Sequence, residues 1–213
     1  MNATSAVRTG RGRRPMSDRQ RTLQRLEISR AAVELFREHG VAATSGEQIA
    51  EAVGLSVRTL WRYFRTKESC VEPLLARTAD VFLDAVRSCP PGRALEEHIL
   101  DGRRDPDAQE AADNTAALAV VALTRDEPEL RAIWLVVHER AEGVLARFVA
   151  ARTGGDLGSV TVRVQAAALA AALRISTEGV AAALRDDPAG GIDGAEAGRR
   201  LVEALRTATR TLS

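Results

Sequence analysis

Residues 44–67 read TSGEQIAEAVGLSVRTLWRYFRTK, and the rest of the chain is organised around them. Thr44 and Ser45 are both N-cap residue types. Each has a capping-box partner three positions on, Glu47 for Thr44 and Gln48 for Ser45, so a helix opens here in either register. Ile49, Ala50 and Val53 give that helix one apolar stripe. Gly54 stands where a left-handed residue must end it, Leu55 fills the angle, and Ser56 caps a second helix running to about Phe64. Leu60 and Phe64 lie four apart and face inward, which leaves Val57, Arg58, Thr59, Trp61, Arg62 and Tyr63 on or beside the outer surface. The spacing predicts a helix-turn-helix whose outer ridge suits the major groove of DNA.

Composition sets the bounds on what surrounds this unit. The 213 residues suffice for one small module and one larger helical domain with a real core. Leu, Ala, Glu and Arg dominate and 3% of residues are aromatic, which favours packed helices over a sheet. The uninterrupted apolar runs, AALAVVAL from Ala116 and AAALAAAL from Ala166, fall far short of the ~20 residues of a membrane helix. The basic N-terminus is not followed by an apolar segment, so the expectation is a cytoplasmic protein without signal peptide or membrane partner. Net charge is +1, unevenly shared. Residues 1–67 hold thirteen basic and six acidic side chains, +7, and the remainder holds seventeen and twenty-three, −6, which points to a local polyanion site near the N-terminus.

Residues 1–20 lack periodicity and carry Arg8, Arg11, Arg13, Arg14 and Arg19, which predicts a disordered basic arm. Its GRGRRP segment, residues 10–15, reads equally as a minor-groove arm or as a solvated tail. The first helix is expected over 21–39, burying Leu26, Ile28, Ala31, Ala32, Leu35 and Phe36, with Gly40 as its stop.

The ordered run from Ala31 to Lys67, namely AAVELF, HG, TS, QIAEAVGLS, RTL, YF and K, resembles the DNA-binding domain of TetR-family transcriptional regulators over about 45 residues. The resemblance implies an all-α chain of about nine helices. A three-helix helix-turn-helix domain over 21–66 would follow the arm, and a larger helical effector-binding and dimerisation domain would occupy 67–213. Thr44 and Ser45, at a helix N-terminus, suit a phosphate, although capping alone explains them as well. Arg58 has the fork to contact a guanine edge, and Arg62 one turn on suits base or phosphate; the competing reading for both is solvation. By the family's pattern Thr59 and Trp61 face DNA. Trp61 departs from the usual Tyr or Phe, and its alternative is packing against the first helix. Tyr63 matches the family's phosphate-contacting position, and Lys67 matches its Lys at the start of the fourth helix, where an amine reaches the DNA backbone.

One such module touches one half-site, so a near-palindromic operator and a two-fold homodimer follow from geometry. Helices are expected over 67–88 with a kink at Pro73, over 93–104, over 107–125 with Asp105 and Pro106 as cap and first position, and over 128–152. The helix over 160–185 has a large-residue stripe (Leu169, Leu173, Ser176, Val180, Leu184) and a smaller one (Ala168, Ala172, Ile175, Gly179, Ala182). The last, over 194–212, carries a seam of Leu201, Leu205, Ala208 and Leu212. The resemblance implies that these two helices pair across the dimer, against the simpler reading that both cover the protomer's own core. It also implies a small-molecule effector pocket. Asn114, Leu118, Trp134, His138, Arg174 and Glu178 are the candidates to line it, because most set polar groups on otherwise apolar helices.

No Gly-rich phosphate loop, HExxH, G-x-S-x-G or carboxylate cluster with a His occurs, so neither enzyme chemistry nor a cofactor or metal is expected. The alternative is an all-helical small-molecule-binding protein or enzyme without DNA activity. Cys70 and Cys89 fit no zinc or redox spacing and read as free thiols. Redox sensing finds no sequence neighbour of basic character except Lys67, beside Cys70.

Overall fold

The computed structural model describes residues 17–102, 106–186 and 194–210. Among them follow α1 (Asp18–His39), α2 (Gly46–Ala52), α3 (Val57–Tyr63), a 3-10 turn (Glu68–Val71), α4 (Glu72–Ser88), α5 (Leu95–Asp101), α6 (Ala108–Leu123), α7 (Pro128–Thr153), α8 (Val160–Asp186) and α9 (Gly194–Arg210), with no strand among the described residues.

Caps fix most of the boundaries. Ser17 and Gln20 form a capping box that opens α1 at Asp18, so residues 18–20 are helix rather than arm. The arginine-rich segment expected over 10–15 lies outside the described residues. Gly40, at φ 82°, ends α1 where a side chain would be strained. Asp107, reciprocally bonded with Glu110, caps α6, which corrects the expected cap at 105 and 106; residues 103–105, including the expected end of the fifth helix, lie outside the described residues. The helix expected over 67–88 is also corrected. The chain makes its 3-10 turn first, and Pro73 sits in the first turn of α4, where its missing N–H is tolerated.

Two apolar clusters hold the molecule together. The first joins Ile28, Val33 and Phe36 of α1, Ile49 of α2 and Leu60 of α3 to Leu74 and Leu75 of α4, Val120 of α6, and Leu130 and Trp134 of α7. The N-terminal helices therefore share a core with the larger helical part. The second gathers Phe82 and Val86 of α4, Leu145 and Val149 of α7, Leu169 and Leu173 of α8 and Leu205 of α9.

Among the described helices α8 is long and apolar enough to cross a membrane, yet Leu169, Leu173, Ser176 and Val180 are buried against its neighbours α6, α7 and α9. Its other side stays open, with Val160 75%, Val164 53% and Ile175 58% exposed. On α9 the described part of the seam follows the simpler reading. Leu205 is fully buried in the protomer's own second core, with Leu201 and Ala208 packed beside it, while position 212 lies outside the described residues.

Candidate functional site

The recognition ridge is built by short-range chemistry. Ser56 accepts the Thr59 N–H at 3.2 Å and so opens α3, while Leu60 and Phe64 anchor its inner side at 0% and 4% exposure. Arg58 and Arg62 are left exposed, and the Arg62 guanidinium lies 5.5 Å from the Tyr63 ring. Val57 and Tyr63 lean against the first core, half-buried, and the Thr59 hydroxyl pairs with that of Ser56 at 2.9 Å. Trp61 is 41% exposed, and its ring rests on Gly46: a Cβ there would stand 2.2 Å from Cζ2 of the indole. The glycine at the start of α2 thus seats the aromatic edge of the ridge.

Ser45, half-buried, caps α2 and forms the capping box with Gln48, accepting its N–H at 3.3 Å and giving its own N–H to Gln48 Oε1 at 2.7 Å. Thr44 is not the cap. It is 2% exposed and its hydroxyl is shared between the carbonyls of Gly40 at 2.9 Å and Leu35 at 3.2 Å, inside the α1–α2 loop. The Lys67 ammonium donates to the carbonyls of Val41 at 2.6 Å, Thr44 at 2.8 Å and Ala42 at 3.4 Å, holding the α1–α2 loop to the 3-10 turn.

Two ion-pair clamps that sequence reasoning missed tie these helices to the rest. Arg30 of α1 grips Asp113 of α6, and Arg77 of α4 reaches the same carboxylate at 3.2 Å. The Arg30 hydrogen bonds hold the Asp113 carboxyl below its ordinary range. In the second clamp Glu72 of α4 accepts from Arg140 of α7 and from Arg25 of α1, while Arg25 also donates to the Tyr63 carbonyl at the end of α3 at 3.0 Å. α7 is thereby joined to the C-terminal end of the ridge through two guanidiniums and one carboxylate.

Of the residues expected to line a pocket, the structure brings four together. On α7 the Trp134 indole N–H donates to Glu178 of α8 at 3.0 Å, and the same carboxylate accepts from Arg131 and from Arg174 at 3.1 Å. Burial acts to raise the Glu178 carboxyl, but the hydrogen bonds from Trp134, Arg131 and Arg174 outweigh it and the net direction is down. His138 stands edge-on to Trp134 with ring centroids 4.1 Å apart, and burial, reinforced by Arg174, lowers it to about 4. A cleft of about 570 Å³ opens beside this group between α6, α7 and α8, walled by Val121, Thr124, Arg125, Arg131, Glu178 and Arg185 among others. Of the six expected pocket residues Glu178 is the one in the lining of this cleft: Trp134, His138 and Arg174 lie outside it, Asn114 is exposed and Leu118 packs half-buried on the first core.

Both cysteines are free thiols. Burial pushes Cys70 up to about 12, which keeps it protonated. Cys89 has a basic neighbour that its sequence surroundings do not reveal, Arg152 Nη2 at 3.0 Å. No group of His, Cys, Asp and Glu among the described residues suits a metal ion.

Residues 28–74 match the family described as bacterial regulatory proteins, tetR family, and residues 90–212, more than half of the chain, match the MftR C-terminal domain. The HTH-type transcriptional regulator TcmR of Streptomyces glaucescens is 36% identical over 152 residues, covering 65% of this chain and 65% of that protein, just under two thirds of its length. MftR of Mycobacterium tuberculosis, named for mycofactocin biosynthesis, is 31% identical over 141 residues, covering 64% of this chain and 69% of that one. Among solved structures, Thermus thermophilus FadR, a TetR-family transcriptional repressor in complex with lauroyl-CoA, superposes with a TM-score of 0.53 at 21% identity over 88% of this chain and 92% of that chain, a likeness of fold. The ordered helix-turn-helix at one end and the MftR-type helical domain at the other place the chain in the TetR family of bacterial regulatory proteins.

Proposed function

We propose that the protein is a ligand-responsive DNA-binding transcriptional regulator, a cytoplasmic repressor that binds a near-palindromic operator as a homodimer, and not an enzyme. The observation that carries this reading is the ridge of α3. Arg58, Trp61 and Arg62 are exposed together on a helix anchored from behind by Leu60 and Phe64, the form in which a short helix reads a major groove. Arg58 is assigned to a base edge and Arg62 to base or phosphate. Ser45 and Tyr63 are assigned to phosphates, while Thr59 and Trp61 complete the ridge.

The exposed stripe of α8, with Val164, Ile175 and Gly179 in succession, supports a partner protomer packed against that helix. The two clamps supply the route by which an effector acts. A ligand entering beside α6 and α7 shifts Asp113 and Arg140, hence Arg30, Arg25 and the orientation of α1 and α3. A coupling of about 1–3 kcal/mol between the two sites changes operator affinity about 5- to 150-fold. The lauroyl-CoA held by FadR, a protein of like fold, is a precedent for a small amphipathic effector.

Fluorescence anisotropy with DNA from upstream of the protein's own gene, at two salt concentrations, tests the reading. Nanomolar binding with a steep salt slope is expected, and Arg58→Ala is expected to relax preference at one base position by about 1–3 kcal/mol. Equal losses on specific and random DNA would refute the role given to Arg58.

A further inference from the structure

Three observations meet at the seam between α7 and α8. Glu178 is gripped by Arg131, Arg174 and the Trp134 indole N–H, so one internal carboxylate answers two guanidiniums. The cleft opening onto it has Arg125, Arg131 and Arg185 in its wall, with Glu178 as the one acid among its lining residues. Beyond Trp134, His138 is 5% exposed and neither ring nitrogen has a hydrogen-bond partner. Buried polar groups without partners are rare, and this one lies beside a carboxylate held by three donors.

We propose that this seam receives an amphipathic carboxylate, whose carboxylate takes the place of Glu178 between Arg131 and Arg174 while a second, neutral polar group reaches His138. The inference rests on the effector reading above and adds the chemistry of the ligand to it.

Glu178 shows which head group fits, because its own carboxylate is what the two guanidiniums hold. A cationic head would meet the arginine-lined wall, and a neutral head would leave both guanidiniums with Glu178. Arg131, Trp134 and His138 follow at i, i+3 and i+7, so they share one face of α7 and span about 10 Å along it. The indole between them is buried and outside the lining of the cleft, so it becomes a bed for the body of the ligand once Glu178 has left its N–H. At neutral pH His138 is uncharged and offers one donor and one acceptor, either of which a hydroxyl can pair with. The cleft, about 570 Å³ and lined at this end by Arg131 and Glu178, is the mouth through which such a molecule enters the seam. Once displaced, Glu178 no longer holds Trp134, and the α7–α8 seam is free to reset the α7 helix that carries Arg140.

The chain has two tryptophans, so a Trp61→Phe protein reports on Trp134 alone. Titrated with decanoate, ω-hydroxydecanoate and decanamide, it is expected to change emission with both carboxylates at least about 10-fold more tightly than with the amide. Glu178→Gln is expected to tighten decanoate several-fold by removing the internal competitor, and His138→Phe to erase the advantage of the hydroxylated probe. Equal affinity for decanoate and decanamide, weaker decanoate binding in Glu178→Gln, or no emission change with either carboxylate up to about 1 mM overturns the inference. Operator release is followed in parallel on the unaltered chain. If decanamide binds as well as decanoate and also releases DNA, the effector reading stands and the carboxylate inference falls. If decanoate binds at the seam without altering operator affinity, the converse holds.

Discussion

Arg30 of α1 donates from Nε and Nη2 to the two carboxylate oxygens of Asp113 on α6 at 2.7 and 2.8 Å, across 83 positions of sequence. The acid is 2% exposed, and Gln109 at 3.0 Å and Arg77 complete its shell. A carboxylate this enclosed is tolerable because every lone pair has a donor, and the bidentate fork fixes direction as well as distance. The same α6 helix carries Val121 and Ala122 into the wall of the cleft, so a movement there reaches α1 through a rigid contact.

Asp113→Asn is expected to lower unfolding stability by about 1–3 kcal/mol, less than for a wholly buried pair because the Arg30 side chain is 37% exposed. If the clamp carries the effector signal, the variant still binds operator DNA but responds weakly to ligand. Denaturant melts and anisotropy with and without ligand separate the two effects, and an unaltered ligand response would remove this clamp from the coupling route.

His138 gives stability a pH dependence with a definite sign. Burial depresses its folded value to about 4, below the ordinary value of about 6.5, so the unfolded chain binds the extra proton first. The stability from keeping it neutral is complete above about pH 6.5 and declines as pH falls through the window from 6.5 to about 4. Arg131 and Arg174 oppose protonation within the fold, while Glu178 favours it. Between pH 7.5 and pH 5 the loss from this group is about 2 kcal/mol, and His138→Gln is expected to flatten the profile by that amount. Parallel profiles for the two proteins would exclude it.

Much of the fold was legible because its signals are local. Ser45 with Gln48, Ser56 and Gly40 mark helix ends within four residues of themselves, and the apolar periods of α1 and α3 name their inner faces. Periodicity does not say which neighbour a stripe meets, so the seam on α9 proved to serve the protomer's own core. The candidate site was legible only as far as the ridge of α3. Thr44 and Lys67 carry the right residue types, but a hydroxyl and an ammonium look alike in sequence whether they face a phosphate or a loop carbonyl. Arg25, Glu72 and Arg140 were invisible because their meeting depends on how α1, α4 and α7 pack.

Lys67 separates a positioning role from a DNA contact. Lys67→Met leaves the carbonyls of Val41, Ala42 and Thr44 without their shared donor and is expected to destabilise the fold by about 1–3 kcal/mol. Under conditions where the variant is folded, the slope of log affinity against log salt should stay that of the parent protein. A fall in that slope by about one for each head would restore the phosphate contact that the family pattern implies.

The open stripe of α8 decides whether two heads act together. Ile175 is 58% exposed, and a Cβ placed on Gly179, one turn along, meets nothing within 4 Å. Ile175→Glu would therefore leave the protomer's own core intact while placing a charge where a partner helix has to pack closely. Sedimentation is expected to show a monomer with an unchanged melting profile. Operator affinity should fall by about 100-fold or more, because the second half-site no longer benefits from effective concentration, whereas binding to a single half-site persists. A dimer that survives Ile175→Glu, and also a Gly179→Leu change at the same stripe, would move the interface to another face and leave the spacing of the two ridges to be set elsewhere.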